Sequence, residues 1–482
     1  MKKISTLLCV SWLIAFLTSD FNATAQPCED GLSDGNLCLN VNQYKFFPSA
    51  DIGGGIINDN WGWVSPETGR EYAIQGRSNG TSFFDVTDPV NAVYLGNLPT
   101  HDFEILWRDI KVYNNYAFVV AESSAHGMQV FDLMQLDNVQ NPPVQFEESA
   151  HYPGFGNAHN VAINEETGYA YAVGSNTYAG GLHFVNIQDP LNPLPAGGFE
   201  EDGYTHDVQV VVYQGPDADY FGSEIAFASN ENTVTIVDVT NKDNPQMLAR
   251  ETYEGYAYTH QGWLTEDHRY FLVNDELDEA NFGHNTRTYV WNVEMLEAPY
   301  LVGFFESSIP SIDHNLYIKG QHCYQANYTG GLRVLRLNSL EPIDIEEVAY
   351  YDIIPEHNNV QFTGSWNAYP FLPSGTIILS NMTIGMHILQ PDYEVVTSIE
   401  EDQESQLPRL VVYPNPARDV VWVRGVAEDA EHLALFNLAG QMVWQQEARR
   451  SHESDYEIPV SGLPGGMYLL RAGSQSARII IQ

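Results

Sequence analysis

A short pattern of hydrophobic and polar positions recurs seven times along the chain. Each copy opens with glycine or threonine and continues as an alternating apolar strand, and most copies end on aspartate or asparagine. Alternation of apolar and polar residues is typical of half-buried β-strands, and no helical period of useful length accompanies it. The pattern predicts an all-β protein built from repeats. The copies begin at Gly80, Gly127, Gly181, Thr233, Thr288, Gly331 and Gly385.

Every copy belongs to a larger repeat of four short strands. A strand candidate and a second strand lie upstream of each copy, and a further strand follows most copies after a turn. Four such strands describe one blade of a β-propeller, and residues 41–392 allow about 50 residues per blade. We therefore predict a seven-bladed β-propeller over residues 26–392. Blade seven lacks its fourth strand, so the unassigned strand Val41–Pro48 is expected to pair with it and close the ring.

The two ends of the chain differ from the repeats. Residues 1–25 start with two lysines after Met, continue as a short apolar run and end on Ala-Thr-Ala before Gln26, which predicts a cleaved signal peptide. Residues 393–408 are polar and acidic, and they are interpreted as a linker. Residues 409–482 contain further alternating strands and are predicted to form a small C-terminal β-sandwich.

The charge of the chain limits the classes of partner. Its 482 residues include 21 Lys and Arg against 63 Asp and Glu, which gives a formal net charge of −42 at pH 7. A surface with this much negative charge repels phosphate backbones, and nucleic-acid binding is therefore excluded as a function. No stretch approaches about 20 uninterrupted apolar residues, so no transmembrane span is predicted. We expect an exported protein.

Three cysteines remain once the predicted signal peptide is removed. Cys28 and Cys38 bracket a short loop rich in glycine and asparagine, and an oxidising compartment would favour a disulfide between them. Two unpaired thiols are the alternative. Cys323 lies in an apolar strand pattern and is interpreted as a buried structural residue, because nothing nearby in the sequence would activate it as a nucleophile.

Five histidines recur at intervals of about one blade, and alignment of the blades places each at the start of a first strand. First strands surround the axis of a propeller, so the imidazoles are expected to converge on one mouth of its channel. Neutral imidazole is a good ligand for zinc, copper, iron or nickel, which makes this ring a candidate transition-metal site. The alternative is structural, with each histidine bonded to the neighbouring blade. The five are His101, His159, His206, His260 and His314.

A second candidate site is an acidic stretch after the second strand of blade five. It contains Asp275, Glu276, Asp278 and Glu279, and calcium prefers several such oxygen ligands. The stretch lacks the repeated Asp pattern of a calcium loop, and acidic runs are common in so negative a chain. A solvated loop is therefore the alternative. The sequence contains no motif for nucleophilic catalysis or for phosphate binding.

The C-terminal residues resemble the type IX secretion sorting domain of Bacteroidetes. Three ordered motifs carry the resemblance: Tyr413-Pro-Asn-Pro416, Leu435-Phe-Asn-Leu-Ala-Gly-Gln441 and Leu463-Pro-Gly-Gly-Met-Tyr-Leu469. The resemblance implies handling by the type IX machinery and passage across the outer membrane, followed by attachment to the cell surface or release. The chain departs from the commonest pattern in ending Arg-Ile-Ile-Ile-Gln rather than in a lysine-rich strand.

The propeller region resembles the choice-of-anchor B family, which is built on LVIVD-type repeats. The resemblance rests on Trp107-Arg-Asp-Ile-Lys-Val-Tyr113, His126-Gly-Met-Gln-Val-Phe-Asp132, Tyr204-Thr-His-Asp207 and the long stretches beginning at Thr259 and Asn274. It implies a propeller combined with an interchangeable C-terminal anchoring or sorting signal, and it implies no particular reaction.

Two functions are compatible with the sequence. We expect a secreted or cell-surface binding or scaffold module without enzymatic activity, because propellers offer a broad rigid face for a ligand. The alternative is a metal-dependent hydrolase or oxidoreductase that uses the histidine cluster. The sequence does not assign a cofactor; a transition metal and calcium are the two candidates.

Overall fold

The computed structural model describes two compact units of the chain, residues up to 397 and residues from 398 onward. The predicted signal peptide, except Ala25, and the predicted linker lie outside the described residues. The described residues are 25–392, 411–413, 417, 418, 420–424, 426, 430, 432–437, 442–447, 456–472 and 475–481.

The first unit is almost entirely β-structure. Its strands up to residue 229 are β1 (Leu32–Ser33), β2 (Asn36–Leu39), β3 (Val41–Pro48), β4 (Ile57–Val64), β5 (Glu71–Arg77), β6 (Gly80–Asp85), β7 (Val93–Pro99), β8 (Arg108–Tyr113), β9 (Tyr116–Ala121), β10 (Met128–Asp132), β11 (Val144–Gln145), β12 (Ala150–Tyr152), β13 (Asn160–Asn164), β14 (Tyr169–Val173), β15 (Leu182–Asn186), β16 (Leu194–Phe199), β17 (Asp207–Val212) and β18 (Glu224–Ser229). The later strands are β19 (Val234–Asp238), β20 (Gln246–Glu251), β21 (Thr259–Leu264), β22 (Tyr270–Asp275), β23 (Arg287–Asn292), β24 (Tyr300–Glu306), β25 (Asn315–Lys319), β26 (His322–Ala326), β27 (Leu332–Leu340), β28 (Ile343–Asp352), β29 (Ser365–Tyr369), β30 (Ile377–Asn381) and β31 (Gly385–Pro391). Helix α1 spans Asp278–Phe282, and 3-10 helices span Ser49–Ile52, Leu133–Asn138 and Tyr178–Gly180.

These strands form seven sheets over residues 25–392, in the orders β4-β5-β6-β7-β11, β8-β9-β10-β12, β13-β14-β15-β16, β17-β18-β19-β20, β21-β22-β23-β24, β25-β26-β27-β28-β2-β1 and β29-β30-β31-β3. The first strand of each sheet contacts the first strand of the next, and β29 contacts β4. The first strands therefore line a closed ring. The prediction of an all-β propeller is confirmed.

Burial on both faces explains why the sequences of the inner strands of each blade are nearly continuous apolar runs. All seven residues of β5 are buried, as are all five of β30, because each blade packs between two neighbours. Phe83 of β6 stacks on Phe131 of β10 in the next blade, with ring centroids 4.6 Å apart. The outer strand β20, by contrast, exposes most of its residues.

The ring closes through strand β3. It pairs antiparallel with β31, from Val41 opposite Pro391 to Pro48 opposite Gly385. Gly385 has a φ of 151°, and a Cβ there would lie 2.0 Å from the Phe47 carbonyl oxygen, so only glycine allows this close approach. The last blade is thus completed by a strand from the opposite end of the unit, which leaves β31 without a free edge.

The N-terminal residues extend the sixth sheet. Strand β2 pairs antiparallel with β28, and a disulfide joins Cys28 to Cys38, which confirms the predicted pairing. Cys38 is buried against this sheet. Cys323 is also fully buried, and burial raises the pKa of its thiol. A buried thiol of raised pKa is a poor nucleophile, in agreement with the structural interpretation.

We expect the double substitution C28S/C38S to lower the free energy of unfolding of the first unit by about 2–3 kcal/mol, because the disulfide closes a short loop that restricts the unfolded chain. The disulfide spans a sequence separation of 10. Denaturant unfolding of both proteins, with and without a reductant, measures the difference. The reductant should destabilise only the unsubstituted protein; equal sensitivity of the two proteins would contradict the expectation.

Acid is expected to weaken the closure of the ring through His387. This residue is buried in β31, with Nδ1 2.7 Å from Gln43 Oε1 of β3, and burial lowers its pKa to about 3. As the pH falls below the unfolded pKa of about 6.5, the unfolded chain takes up a proton that the folded chain does not. Stability is therefore lost as the pH falls from about 6.5 toward 3, by up to about 1.4 kcal/mol per pH unit for this residue.

Denaturant unfolding at pH 7 and pH 5 tests this. The substitution H387Q should make the loss of stability between these two pH values smaller by about 2 kcal/mol. Glutamine retains a polar group that can form a hydrogen bond with Gln43, so the difference between the two proteins reports the protonation of His387 alone. An identical loss in both proteins would show that His387 does not carry the effect.

The described residues of the second unit form two sheets around one core. Its strands are β32 (Val411–Tyr413), β33 (Val420–Arg424), β34 (His432–Asn437), β35 (Met442–Glu447), β36 (Tyr456–Pro459), β37 (Gly466–Ala472) and β38 (Gln475–Ile481). The sheets have the orders β32-β33-β36 and β35-β34-β37-β38. Val421 and Ile458 of one sheet share a buried core with Leu435 and Leu470 of the other, as expected of a small sandwich. In the described parts of both units, no helix has the length and apolar character needed to cross a membrane.

Candidate metal centre at one mouth of the channel

Four of the five predicted histidines form a continuous arc at one end of the first strands. His159, His206 and His314 directly precede β13, β17 and β25, and His260 is the second residue of β21. The ring centroids are 4.2 Å apart between His159 and His206, 4.1 Å between His206 and His260, and 4.4 Å between His260 and His314. Trp366 of β29 continues the arc, with its ring 4.7 Å from that of His314.

His101 does not join this arc. It lies in the loop before β8, stacks on His151 with centroids 3.8 Å apart, and places Nδ1 3.0 Å from the Glu148 carboxylate. Strand β8 begins only at Arg108, and this arginine takes the place that histidine has in the next four blades. The sequence alignment of blade two was therefore wrong by the length of this loop.

Backbone carbonyl groups fix the orientation of three imidazoles. His206 Nδ1 lies 2.9 Å from the carbonyl oxygen of His260, His260 Nδ1 lies 3.1 Å from that of His314, and His314 Nδ1 lies 2.6 Å from that of Trp366. A carbonyl oxygen only accepts, so each Nδ1 carries the proton and donates it. Nε2 of a neutral ring then keeps its lone pair, which is how metal-binding histidines are commonly held. Each histidine also bonds the neighbouring blade, as the structural alternative expected.

Burial keeps these rings neutral. His206, His260 and His314 are each less than 5% exposed. Loss of solvation lowers the pKa of His314 to about 3 and those of His206 and His260 well below the usual value, and the neighbouring histidines lower the latter two further. Near neutral pH the three side chains are therefore available as ligands without a proton to displace.

Glu276 brings a carboxylate to the arc. Its oxygens lie 3.9 Å from His260 Nε2 and 3.8 Å from His314 Nε2, and Tyr328 Oη donates to it at 2.6 Å. One donor atom from each of His260, Glu276 and His314 lies within 4.8 Å of the others. Ligand atoms of a tetrahedral zinc ion are about 3.3 Å apart, so donor atoms as much as 4.8 Å apart would have to approach one another by up to about 1.5 Å to share an ion. Two imidazoles and one carboxylate suit zinc or iron.

Glu276 was predicted as a calcium ligand and not as a partner of the histidines. The hairpin between β21 and β22 explains its position, because Thr259 pairs with Asp275 and so the residue after β22 returns to the mouth where His260 starts. Glu122 follows β9 in the same manner, and its Oε1 lies 2.6 Å from His159 Nδ1. Pairing of first and second strands could have indicated both carboxylates.

The four predicted calcium ligands face different surroundings. Asp275 accepts hydrogen bonds from the backbone N–H groups of Ala257 and Tyr258, at 2.8 Å and 2.6 Å, while Glu276 faces the histidines. Asp278 and Glu279 are buried in α1, and burial raises their pKa values to about 7 and about 10. Calcium binding at these residues stays a prediction.

Comparison with known proteins identifies the second unit. Residues 411–482 match the family described as "Secretion system C-terminal sorting domain". This confirms the prediction of a type IX sorting domain: the protein is handled by the type IX secretion machinery and exported across the outer membrane, to the cell surface or the extracellular space. No curated protein matches the chain.

Two solved structures are similar to the chain at low identity. One is PorZ, described as an essential bacterial surface component of the type-IX secretion system of Porphyromonas gingivalis, with a TM-score of 0.43 and 12% identity over 86% of this chain and 58% of PorZ. The other is the β-propeller domain of Myceliophteria thermophila Cps50 (Swd1), with a TM-score of 0.43 and 11% identity over 69% of this chain and 98% of that domain. The chain spans little more than half the length of PorZ.

Proposed function

We propose that the protein is an exported binding module that holds a divalent transition-metal ion, such as zinc, at one mouth of its propeller channel. His260, His314 and Glu276 are the proposed ligands, with His206 beside them. The observation that carries the proposal is the convergence of two Nε2 atoms and one carboxylate within 4.8 Å.

The surroundings of the three groups support metal binding. The Nδ1 protons of His260 and His314 are held by backbone carbonyls of adjacent blades, so neither ring can turn without breaking a hydrogen bond between blades. The Tyr328 hydroxyl orients the carboxylate. Groups held in this way lose little conformational freedom when they bind an ion, which favours affinity.

The combination of a propeller with a sorting domain also fits the choice-of-anchor B family, whose members join such repeats to interchangeable C-terminal signals. We infer membership of that family from the motifs beginning at Trp107, His126 and Thr259. The family resemblance assigns no reaction, so the proposed function rests on the site.

Elemental analysis of the mature chain, made without a His tag and purified without chelators, tests the proposal. We expect about one equivalent of a transition metal, and its loss in the variant H206A/H260A/H314A. Circular dichroism of both proteins checks that the fold is retained. Metal content that is absent, or equal in the folded variant, would refute the site and return these histidines to a purely structural role.

A metal-dependent enzyme is the second candidate function. Its support is that the site supplies three protein donors, which leaves a tetrahedral ion one position for water or substrate. The cobalt-substituted protein separates the two functions. A visible spectrum that changes on addition of azide would indicate an open position and favour an enzyme, whereas an unchanged spectrum would favour binding alone.

A further inference from the structure

A second site lies toward the other end of the channel. A pocket of about 570 Å³ reaches from Asp207, the first residue of β17, past the middle of the first strands to residues beyond their ends, such as Glu165 after β13 and Phe371 after β29. The histidines stand at the starts of the same strands. The pocket therefore opens at the mouth opposite the proposed metal centre, and its volume suits a small ligand.

Aromatic side chains from four blades form one wall of this pocket. Tyr317 and Phe371 each contact both Trp61 and Trp263. The ring centroids are 4.9 Å apart between Trp263 and Tyr317 and 5.8 Å apart between Trp61 and Tyr317. The rings meet edge-on or tilted; the planes of Trp263 and Tyr317, for example, form an angle of 76°. The negative face of an aromatic ring attracts a cation. One cation already lies against this wall, since Lys111 Nζ is 4.6 Å from the ring centroid of Trp61.

The charges in the pocket are mostly negative. Lys111 is offset by the buried carboxylate of Asp109, which lies 2.5 Å from Nζ. The Asp59 carboxyl group lies 3.4 Å from Nζ, and burial raises its pKa well above the usual value. His268 is the remaining basic residue of the lining. Its Nδ1 accepts a hydrogen bond from the backbone N–H of Gln214. Because burial lowers the pKa of His268, the ring is neutral at pH 7. Among the other acidic residues of the lining, burial raises the pKa of Asp207 to about 7, so that it is only partly ionised at neutral pH, and burial also raises the pKa of Glu165. Glu166 and Glu266 are exposed, and no basic residue of the lining is left to balance them.

We propose that this pocket binds a small organic cation, such as a quaternary ammonium or aliphatic ammonium compound. The aromatic wall would contact the apolar groups around the positive charge, and the carboxylates would supply the opposite charge. An anion is disfavoured by the same carboxylates, and a neutral sugar would leave the excess negative charge uncompensated. The proposal is independent of the metal centre, because no residue of the pocket belongs to that site.

Calorimetric titration with choline tests the proposal against its neutral isostere, 3,3-dimethylbutan-1-ol, in the full mature chain. We expect choline to bind at least about tenfold more tightly than the isostere, since the two differ only in the charge. Butylammonium should bind as well, and glucose should not. Failure of both cations to bind, equal binding of choline and its isostere, or preferential binding of glucose would overturn the proposal.

Substitutions in the pocket test whether choline binds there. E165Q/E166Q should weaken choline binding about tenfold without loss of fold, because both side chains are exposed at the mouth. W263L should weaken it by a similar factor through the aromatic wall. E254Q, which changes an exposed glutamate outside the pocket, is the matched control and should have no effect. Binding that survives both pocket changes would place choline elsewhere and refute the site, and unchanged binding in H260A/H314A would separate it from the metal centre.

Discussion

Replacing His260 or His314 with alanine is expected to weaken zinc binding by at least about 100-fold. Each substitution removes one of three proposed protein ligands, whereas loss of an outer-shell partner alone commonly costs 10–100-fold. E276Q should also weaken zinc binding strongly, because an amide oxygen lacks the negative charge of the carboxylate. Competition with a chromogenic zinc chelator measures all three affinities on one scale.

His101 provides the matched control for these substitutions. It was predicted from the sequence to belong to the same ring, but it lies with His151 and Glu148 instead. H101A should therefore leave zinc binding in the channel unchanged. Equal loss of affinity in H101A and H260A would contradict the assignment of ligands.

The substitution V41D is expected to lower the free energy of unfolding of the propeller by at least about 3 kcal/mol. Val41 is completely buried in the closing strand β3, against a core that includes Tyr351 and Leu389. An unpaired carboxylate there would lack hydrogen-bond partners and a counter-charge. Because β3 holds blade seven closed, the loss should affect the cooperative unfolding of the whole ring.

Val93 offers the same chemical change at an exposed site. This residue of β7 is 42% exposed, so V93D should cost no more than about 1 kcal/mol, chiefly through the low strand propensity of aspartate. Urea unfolding followed by tryptophan fluorescence compares the two variants. Similar midpoints for V41D and V93D would show that the closing strand contributes little to the stability of the ring.

The architecture could be predicted from the sequence because each blade repeats a local pattern. The glycine or threonine that opens each third strand, the alternation along the strand and the Asp or Asn that closes most copies are short-range features, and they repeat at an almost constant interval. The position of Val41–Pro48 followed from counting, since one strand was left over at the start and one was missing at the end. Neither step required knowledge of contacts between distant residues.

The site could be predicted only in part. Four histidines were found because they share one position in their blades, whereas His101 was aligned through a loop whose length varies between blades. The role of Glu276 depends on hairpin register, which decides which residue returns to the mouth. The opposite pocket depends on residues of all seven blades meeting around the channel, and no local pattern in the sequence encodes that meeting.

Anomalous scattering at the zinc absorption edge, from crystals of the zinc-loaded protein, tests the proposed metal centre most directly. The account predicts one strong peak about 2.0–2.2 Å from Nε2 of His260, Nε2 of His314 and a carboxylate oxygen of Glu276. A peak at other residues, or a channel mouth without a peak at saturating zinc, would contradict it.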